Sequence, residues 1–281
     1  MTYLILCHRD PSNLRRLVRL LDCPEAAFVI HVDKNVSLEE FRFEAENVLF
    51  VPENKRIGVR WGSISIVDAM LVLLDVALSA FTSDYYWFCS GQDLPLASPA
   101  TICDKLRESS TDFIHFSRSL NNGSIAQTHF DKRNQIYTPE WLNGKSLCHR
   151  LAFRMYIELT GGYSRTFRPF RRRDYNRFRF YYGSAWLCLR REVARWILEY
   201  LSNHPELHAY YMRSVNSDES IFHTVYMLSP YAGEDSEYLH YIDWSEGGRS
   251  PKVLDVADVE KAIISGKINM ARHFWTASRV C

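Results

Sequence analysis

The chain of 281 residues is 47% hydrophobic and 14% aromatic, enough to bury the core of one large α/β domain or two small ones and too apolar for a chain disordered over most of its length. Its 34 basic and 33 acidic side chains nearly cancel, so bulk charge gives no support to general polyanion binding. The N-terminal apolar run is too brief for a secretory core, no later run reaches spanning length, and seven cysteines without Cys-x-x-Cys spacing fit reduced thiols in a cytoplasmic protein better than a disulfide framework or a zinc site.

In chain order, Tyr3–Cys7 reads as a buried strand, and Pro11-Ser12-Asn13 opens a helix with Leu14, Leu17, Val18 and Leu21 on one face. Ala27–Val32 is a second strand and Val48–Val51 a short third. After Trp61-Gly62-Ser63 a long amphipathic helix is predicted, carrying Ile64, Val67, Leu71, Leu74 and Leu78, and Tyr85–Cys89 follows as a strand ending in Ser90-Gly91-Gln92-Asp93. Strands alternating with helices predict an α/β fold with a largely parallel sheet and helices on both faces. Ligands of such sheets bind beyond the carboxyl ends of the strands, which selects His8, His31, Asp33 and the Ser90–Asp93 loop.

The second half is less regular. Phe113–Phe116 and Tyr182–Leu189 read as strands, Asn121–Lys145 as a polar segment and Leu147–Leu159 as a helix. Cys7, Cys89 and Cys188 lie in apolar runs and are expected in the core. With no repeat and no long linker, 1–281 is read as a single domain, its halves being 1–116 and 117–281. In Ser-Val-Asn-Ser-Asp-Glu-Ser-Ile-Phe-His-Thr, residues 214–224, Ser217 is expected to cap a helix whose apolar face is Ile221, Phe222, Val225 and Leu228. Asp218 and Glu219 then occupy the first turn, where the helix dipole favours carboxylates.

Neither Gly-x-Gly-x-x-Gly nor a phosphate-loop pattern occurs, which disfavours a dinucleotide dehydrogenase or a phosphate-loop nucleotidase. There is also no Gly-x-Ser-x-Gly and no Asp-x-Asp to hold a divalent ion against a diphosphate. Residues 165–180 hold seven arginines and five aromatics against one acid. That segment suits single-stranded nucleic acid, an anionic membrane surface, an acidic or lipid-linked acceptor, or a solvated basic loop; membrane or acceptor contact is the preferred reading.

Six collinear blocks carry a resemblance: Tyr3–Val36 with Ile30-His31-Val32-Asp33-Lys34, Arg60-Trp61-Gly62, Ser90-Gly91-Gln92-Asp93-Leu94-Pro95, Gly183-Ser184-Ala185-Trp186, Asp218-Glu219-Ser220-Ile221-Phe222-His223-Thr224 and His240-Tyr241-Ile242-Asp243-Trp244. Together they resemble the core-2/I-branching β-1,6-N-acetylglucosaminyltransferase family, nearer its peptide O-xylosyltransferase branch. The resemblance implies a glycosyltransferase-A type (Rossmann-like) fold, a UDP-sugar donor, inversion at the anomeric carbon and no required metal or other cofactor. It makes 1–116 the nucleotide-sugar half and 117–281 the acceptor and catalytic half.

The residue matching the family's catalytic base is Glu219, and an acceptor hydroxyl does need a carboxylate to take its proton as it attacks. Donor binding is expected at His8, Asp33, Trp61, Gly62, Ser90, Gly91 and Asp93. Without a metal, fixed cations must meet the departing diphosphate, and the family's basic regions match Arg249 to Lys252 and Arg272-His273. His273 stands where lysine is common, so Arg272 has to supply the charge or His273 has to be protonated, with activity then falling at alkaline pH. Acceptor or sugar contacts are expected at Gly183, Ser184, Trp186, Asp243 and Trp244; a glycine at 183 would admit a ligand close to the backbone, and Trp244 would stack on a pyranose face.

The expected activity is transfer of N-acetylglucosamine or xylose from a UDP donor to a hydroxyl of an oligosaccharide or lipid-linked glycan, in surface polysaccharide synthesis. It would take place in the cytoplasm or peripherally on the inner face of the membrane, with no nucleic-acid partner. A nucleic-acid-binding module built on 165–180 and a metal-dependent UDP-sugar transferase using Asp93 or Asp33 are the alternatives.

Overall fold

The computed structural model describes residues 1–118, 132–142, 144, 146–163, 166–233, 238–246, 251–264 and 270–271. The first part of the chain forms β1 (Thr2–Cys7), α1 (Pro11–Leu21), β2 (Ala27–Val32), β3 (Val48–Phe50), α2 (Ser65–Ala80), β4 (Tyr85–Ser90), β5 (Leu94–Pro95), α3 (Pro99–Glu108) and β6 (Phe116–Arg118). Then come α4 (Leu147–Leu159), β7 (Tyr182–Gly183), β8 (Cys188–Arg190), α5 (Arg191–Asn203), α6 (Pro205–Tyr211), α7 (Ile221–Tyr226), β9 (His240–Tyr241), α8 (Val256–Ile264) and β10 (Met270–Ala271).

The main sheet runs β3-β2-β1-β4-β8, parallel except for β8. Its strands are continuous apolar runs because both faces are covered. Alternate residues serve opposite layers: Leu4, Val29, Tyr86 and Phe88 pack with α2, α5 and α7, while Tyr3, Ile5, Phe28, Ile30 and Trp87 pack with α1 and α3. The cores thus lie on either side of one sheet, as the alternation of strands and helices predicts.

α1 starts where expected. Asp10, at φ 57°, accepts the Asn13 amide at 3.0 Å through Oδ1, and Pro11 sits in the first turn, where its missing N–H costs nothing. On α2 the buried face is wider than predicted. Val67 and Leu74 are fully buried, but so are Met70, Leu73 and Ala77, whereas Leu71 and Leu78 are only partly covered, because the helix is sandwiched between the sheet and α5.

Three readings are corrected in the second half. Phe113 makes a single bridge to Cys188, and the strand begins only at Phe116. The predicted strand Tyr182–Leu189 is two strands on different partners, β7 on β6 and β8 on β4, with Ser184–Leu187 crossing between them. Ser217 caps no helix: Ser217–Glu219 is a separate 3-10 turn, α7 is only six residues long, and Leu228 lies beyond it. Cys7, Cys89 and Cys188 are core thiols as expected. Cys23 and Cys103, far apart in sequence, bring their sulfurs to 3.8 Å as free thiols.

Candidate active site

β1 lies between β2 and β4, and their carboxyl ends are laced together. The Gly91 amide donates to Leu6 O and the Asp33 amide to Cys7 O, each at 2.8 Å, so exposed His8 stands between the β2 and β4 loops. Asn13 Nδ2 ties α1 to the Gly91 carbonyl at 2.8 Å. A Cβ on Gly91 would come within 2.6 Å of the Cys7 Cβ, so only glycine lets this loop lie so close to β1.

Asp33 is held in the β2 loop, its Oδ1 accepting the Asn35 amide at 2.8 Å and its Oδ2 the Val59 amide at 3.2 Å. Beneath it runs Arg56, which the sequence reading missed inside a polar stretch. The buried guanidinium donates to the carbonyls of Val32, Asp33 and Val36 at 2.9, 2.6 and 2.6 Å and meets Glu53. The buried His31 ring accepts the Ile57 amide at 2.9 Å through Nε2, and desolvation lowers its pKa to about 4, leaving it neutral.

Asp93 is buried completely, its Oδ2 accepting the Ser90 amide at 2.7 Å. That oxygen lies 3.6 Å from His240 Nε2, while Oδ1 has no hydrogen-bond partner. Cys89, Asp93 and His240 bring potential ligand atoms within 4.8 Å of one another. All three are sealed from solvent. A cation held there would brace β9 against the β4 loop from beneath and would not face a substrate in the open.

Glu219 sits on the 3-10 turn Ser217–Glu219, which is tied to the segment before α2. Asn216, at φ 51°, donates its amide to Gly62 O at 3.0 Å, and Gly62 itself takes φ 75°, which brings the turn beside half-exposed Trp61. The Ser217 hydroxyl donates to Tyr211 O at 2.9 Å rather than capping a helix. Below, buried Tyr211 bonds Ser220 and Thr224 at 2.8 and 2.9 Å, and Ser220 donates to Tyr181 O at 2.9 Å. The Glu219 carboxylate, partly exposed, meets Arg133 Nη1 at 2.5 Å through Oε2. Arg133 lies in the stretch read only as polar, and nothing in its spacing marks it.

Gly183 belongs to the wall behind that turn. A Cβ there would lie 1.9 Å from His115 O and 2.3 Å from His223 Nε2, so the space a glycine frees is filled by protein. The His223 ring donates through Nε2 to His115 O at 3.1 Å, and complete burial lowers its pKa to about 3. The Ser184 amide also donates to His115 O at 3.2 Å, and its hydroxyl bonds the Tyr238 hydroxyl. The Trp186 ring lies 6.1 Å from that of His240.

Trp244 is exposed, as its loop composition suggests. Asp243 folds back on the Ser245 amide at 2.7 Å, which lowers its pKa. Lys252 donates its amide to Asp243 O and its ammonium to Asp258 Oδ1, both at 2.8 Å; Asp255 and Asp258 exchange amide bonds at the start of α8. Arg249, Arg272 and His273 lie outside the described residues, but Ala271 pairs with Leu94 and Tyr241, which ties the end of β10 to the β5 loop.

A mainly parallel sheet with polar loops gathered past the carboxyl ends of its strands is the arrangement in which α/β folds bind ligands. The sequence match is more specific. Residues 1–266 match the core-2/I-branching enzyme family, and the chain belongs to it, as a glycosyltransferase. A comparison with curated protein sequences finds no match.

Among solved structures, the chain is similar to an active-site mutant of LgtC, at 11% identity and TM-score 0.44 over 99% of this chain and 88% of that one. It is also similar to the apo bifunctional glycosyltransferase WbbM, at 11% and 0.42 over 98% and 46%, and to apo mouse xyloside xylosyltransferase 1, at 13% and 0.40 over 97% of both chains. These likenesses are distant, and the family assignment rests on the sequence match.

Proposed function

We propose that the protein is an inverting glycosyltransferase that moves N-acetylglucosamine or xylose from a UDP donor to a hydroxyl of a glycan acceptor, with Glu219 as general base. The observation that carries this reading is the Arg133–Glu219 pair on a turn bonded to Gly62. Arg133 occupies Oε2, and Oε1 is the oxygen that takes the acceptor proton while the hydroxyl attacks the anomeric carbon opposite UDP. Donor binding falls to the loops of His8, Asp33, Trp61-Gly62 and Ser90-Gly91, with Asp93 supporting its loop from within. Sugar contacts fall to Ser184, Trp186 and Trp244.

Metal independence is part of the proposal. What supports it is that Asp33 is buried with each oxygen accepting a backbone amide, and that Asp93 is sealed inside. Charge on the leaving group is then met by fixed cations, for which Arg249, Arg272 and His273 are the sequence candidates and Lys252 is available if Asp258 shares it. The acceptor is an oligosaccharide or lipid-linked glycan of surface polysaccharide synthesis.

A thermal-shift screen with UDP, UDP-N-acetylglucosamine and UDP-xylose tests the donor, because a ligand bound only by the folded state raises its melting temperature. Turnover of the stabilising sugar in saturating EDTA tests the metal. No stabilisation by any uridine diphosphate would remove the reading; turnover lost in EDTA and restored by a divalent cation would replace it with a metal-dependent transferase.

A further inference from the structure

α4 carries its apolar side chains on the outside. Ser146 caps it by accepting the His149 amide at 3.3 Å, and Leu147, Leu151, Met155 and Leu159 then recur every fourth residue at 56–66% exposure. At about 100° per residue they form a stripe roughly 120° wide. Ile157 is the buried residue of the helix. Trp141, 69% exposed, stands in the 3-10 turn Glu140–Leu142 ahead of it.

Cationic side chains border the stripe. Arg150 and Arg154 are exposed along one flank. Past Gly161 and Gly162, both at positive φ, the chain doubles back, the Phe167 amide donating to Thr160 O at 3.0 Å. It then presents Phe167 and Phe170 with Arg168, Arg171 and Arg173, all exposed. This segment is anchored: the Arg172 amide donates to Gln135 O at 2.8 Å, and its guanidinium donates to Tyr210 O at 3.0 Å and covers the Tyr210 ring at 3.3 Å.

Exposed apolar side chains gathered on one helix face, here with exposed Glu158 among them, mark an interaction surface. A second copy of this chain would cover the leucines, but an antiparallel two-fold contact would bring the Arg150/Arg154 flanks together. An anionic bilayer supplies both requirements at once, an acyl boundary for Leu, Met and Trp and phosphates for the guanidinium groups. Among the described residues no helix is long and apolar enough to cross a membrane.

We propose that α4 and residues 166–173 dock the protein on an anionic lipid surface, the Leu147/Leu151/Met155/Leu159 stripe entering the headgroup boundary and the arginines resting on phosphates. The proposal does not depend on the role of Glu219. It gives the transferase a fixed face towards lipid, which is useful to an enzyme whose acceptor is lipid-linked.

The test is co-sedimentation of the full chain with vesicles of phosphatidylcholine alone or with about one-third phosphatidylglycerol. Binding is expected only to the anionic vesicles, weakened by salt, and reduced about tenfold or more in L151D/M155D and in R168Q/R171Q/R173Q. Because the substituted side chains are exposed, both variants should keep the wild-type melting temperature and, with a water-soluble acceptor, the wild-type turnover. Three outcomes would overturn the proposal: no preference for phosphatidylglycerol, binding untouched by L151D/M155D, or a concentration-dependent dimer that the same double variant dissolves.

Discussion

Arg133 Nη1 and Glu219 Oε2, 86 residues apart in sequence, meet at 2.5 Å. The pair fixes one carboxylate oxygen and thereby the direction of the other, which a general base requires. Glu219→Gln is therefore expected to lower turnover by about a thousandfold while UDP affinity, measured by calorimetry, stays near wild type. Arg133→Gln should leave the carboxylate in place but loosely aimed, with kcat down about tenfold or more and the donor KM little changed. Unaltered turnover in Glu219→Gln would remove it as the base.

Gly183→Ala should destabilise the fold by about 3 kcal/mol or more, because the new methyl would meet His115 O at 1.9 Å and the His223 ring at 2.3 Å. Neither is the tip of a flexible chain. Urea unfolding measures the effect, and a shift under about 1 kcal/mol would mean that this wall yields more readily than its packing implies.

Arg56→Met leaves the carbonyls of Val32, Asp33 and Val36 without their guanidinium donor. A loss of about 3 kcal/mol is expected, together with weaker UDP binding, since the same carbonyls set the path of the Asp33 loop. Normal stability with normal UDP affinity would show that the loop holds its shape unaided.

Stability should fall on the acid side. Burial holds the His31 pKa at about 4 and that of His223 at about 3, against 6.5 for an ordinary histidine. Below pH 6.5 the unfolded chain takes up protons that the native rings refuse, so stability is lost as pH drops towards those folded values and is insensitive to either ring above about pH 7. Each ring adds a slope of up to about 1.4 kcal/mol per pH unit in that window. His31→Gln, which keeps an acceptor for the Ile57 amide, should flatten the urea midpoint between pH 6.5 and 5; an unchanged slope would exclude His31 as a source.

The first half of the fold was legible because its signals are local. β1, β2 and β4 are unbroken apolar runs, and α1 announces itself through Pro11 and an apolar period. β7, β9 and β10 have two residues each, too few for a period, and their places come from distant pairing. The acidic turn was misread as a helix start because acids before apolar residues look alike in both cases. What decides is the Tyr211 carbonyl, which captures the Ser217 hydroxyl. Arg56 and Arg133 stayed hidden for a related reason: polar neighbours make a buried cation look like surface, and the groups that claim it are brought together only by folding.

The small sheet β5-β10-β9 has in its middle the strand that comes latest in sequence among the described residues. β1 to β4 all fall within residues 2–90, whereas the small sheet draws on residues 94–95, 240–241 and 270–271. β5 and β9 must wait for Met270 and Ala271 to enter between them, and fully buried Met270 closes the layer beneath. A chain ending between β8 and β10 would keep every strand of its main sheet yet lack the strand that joins β5 to β9.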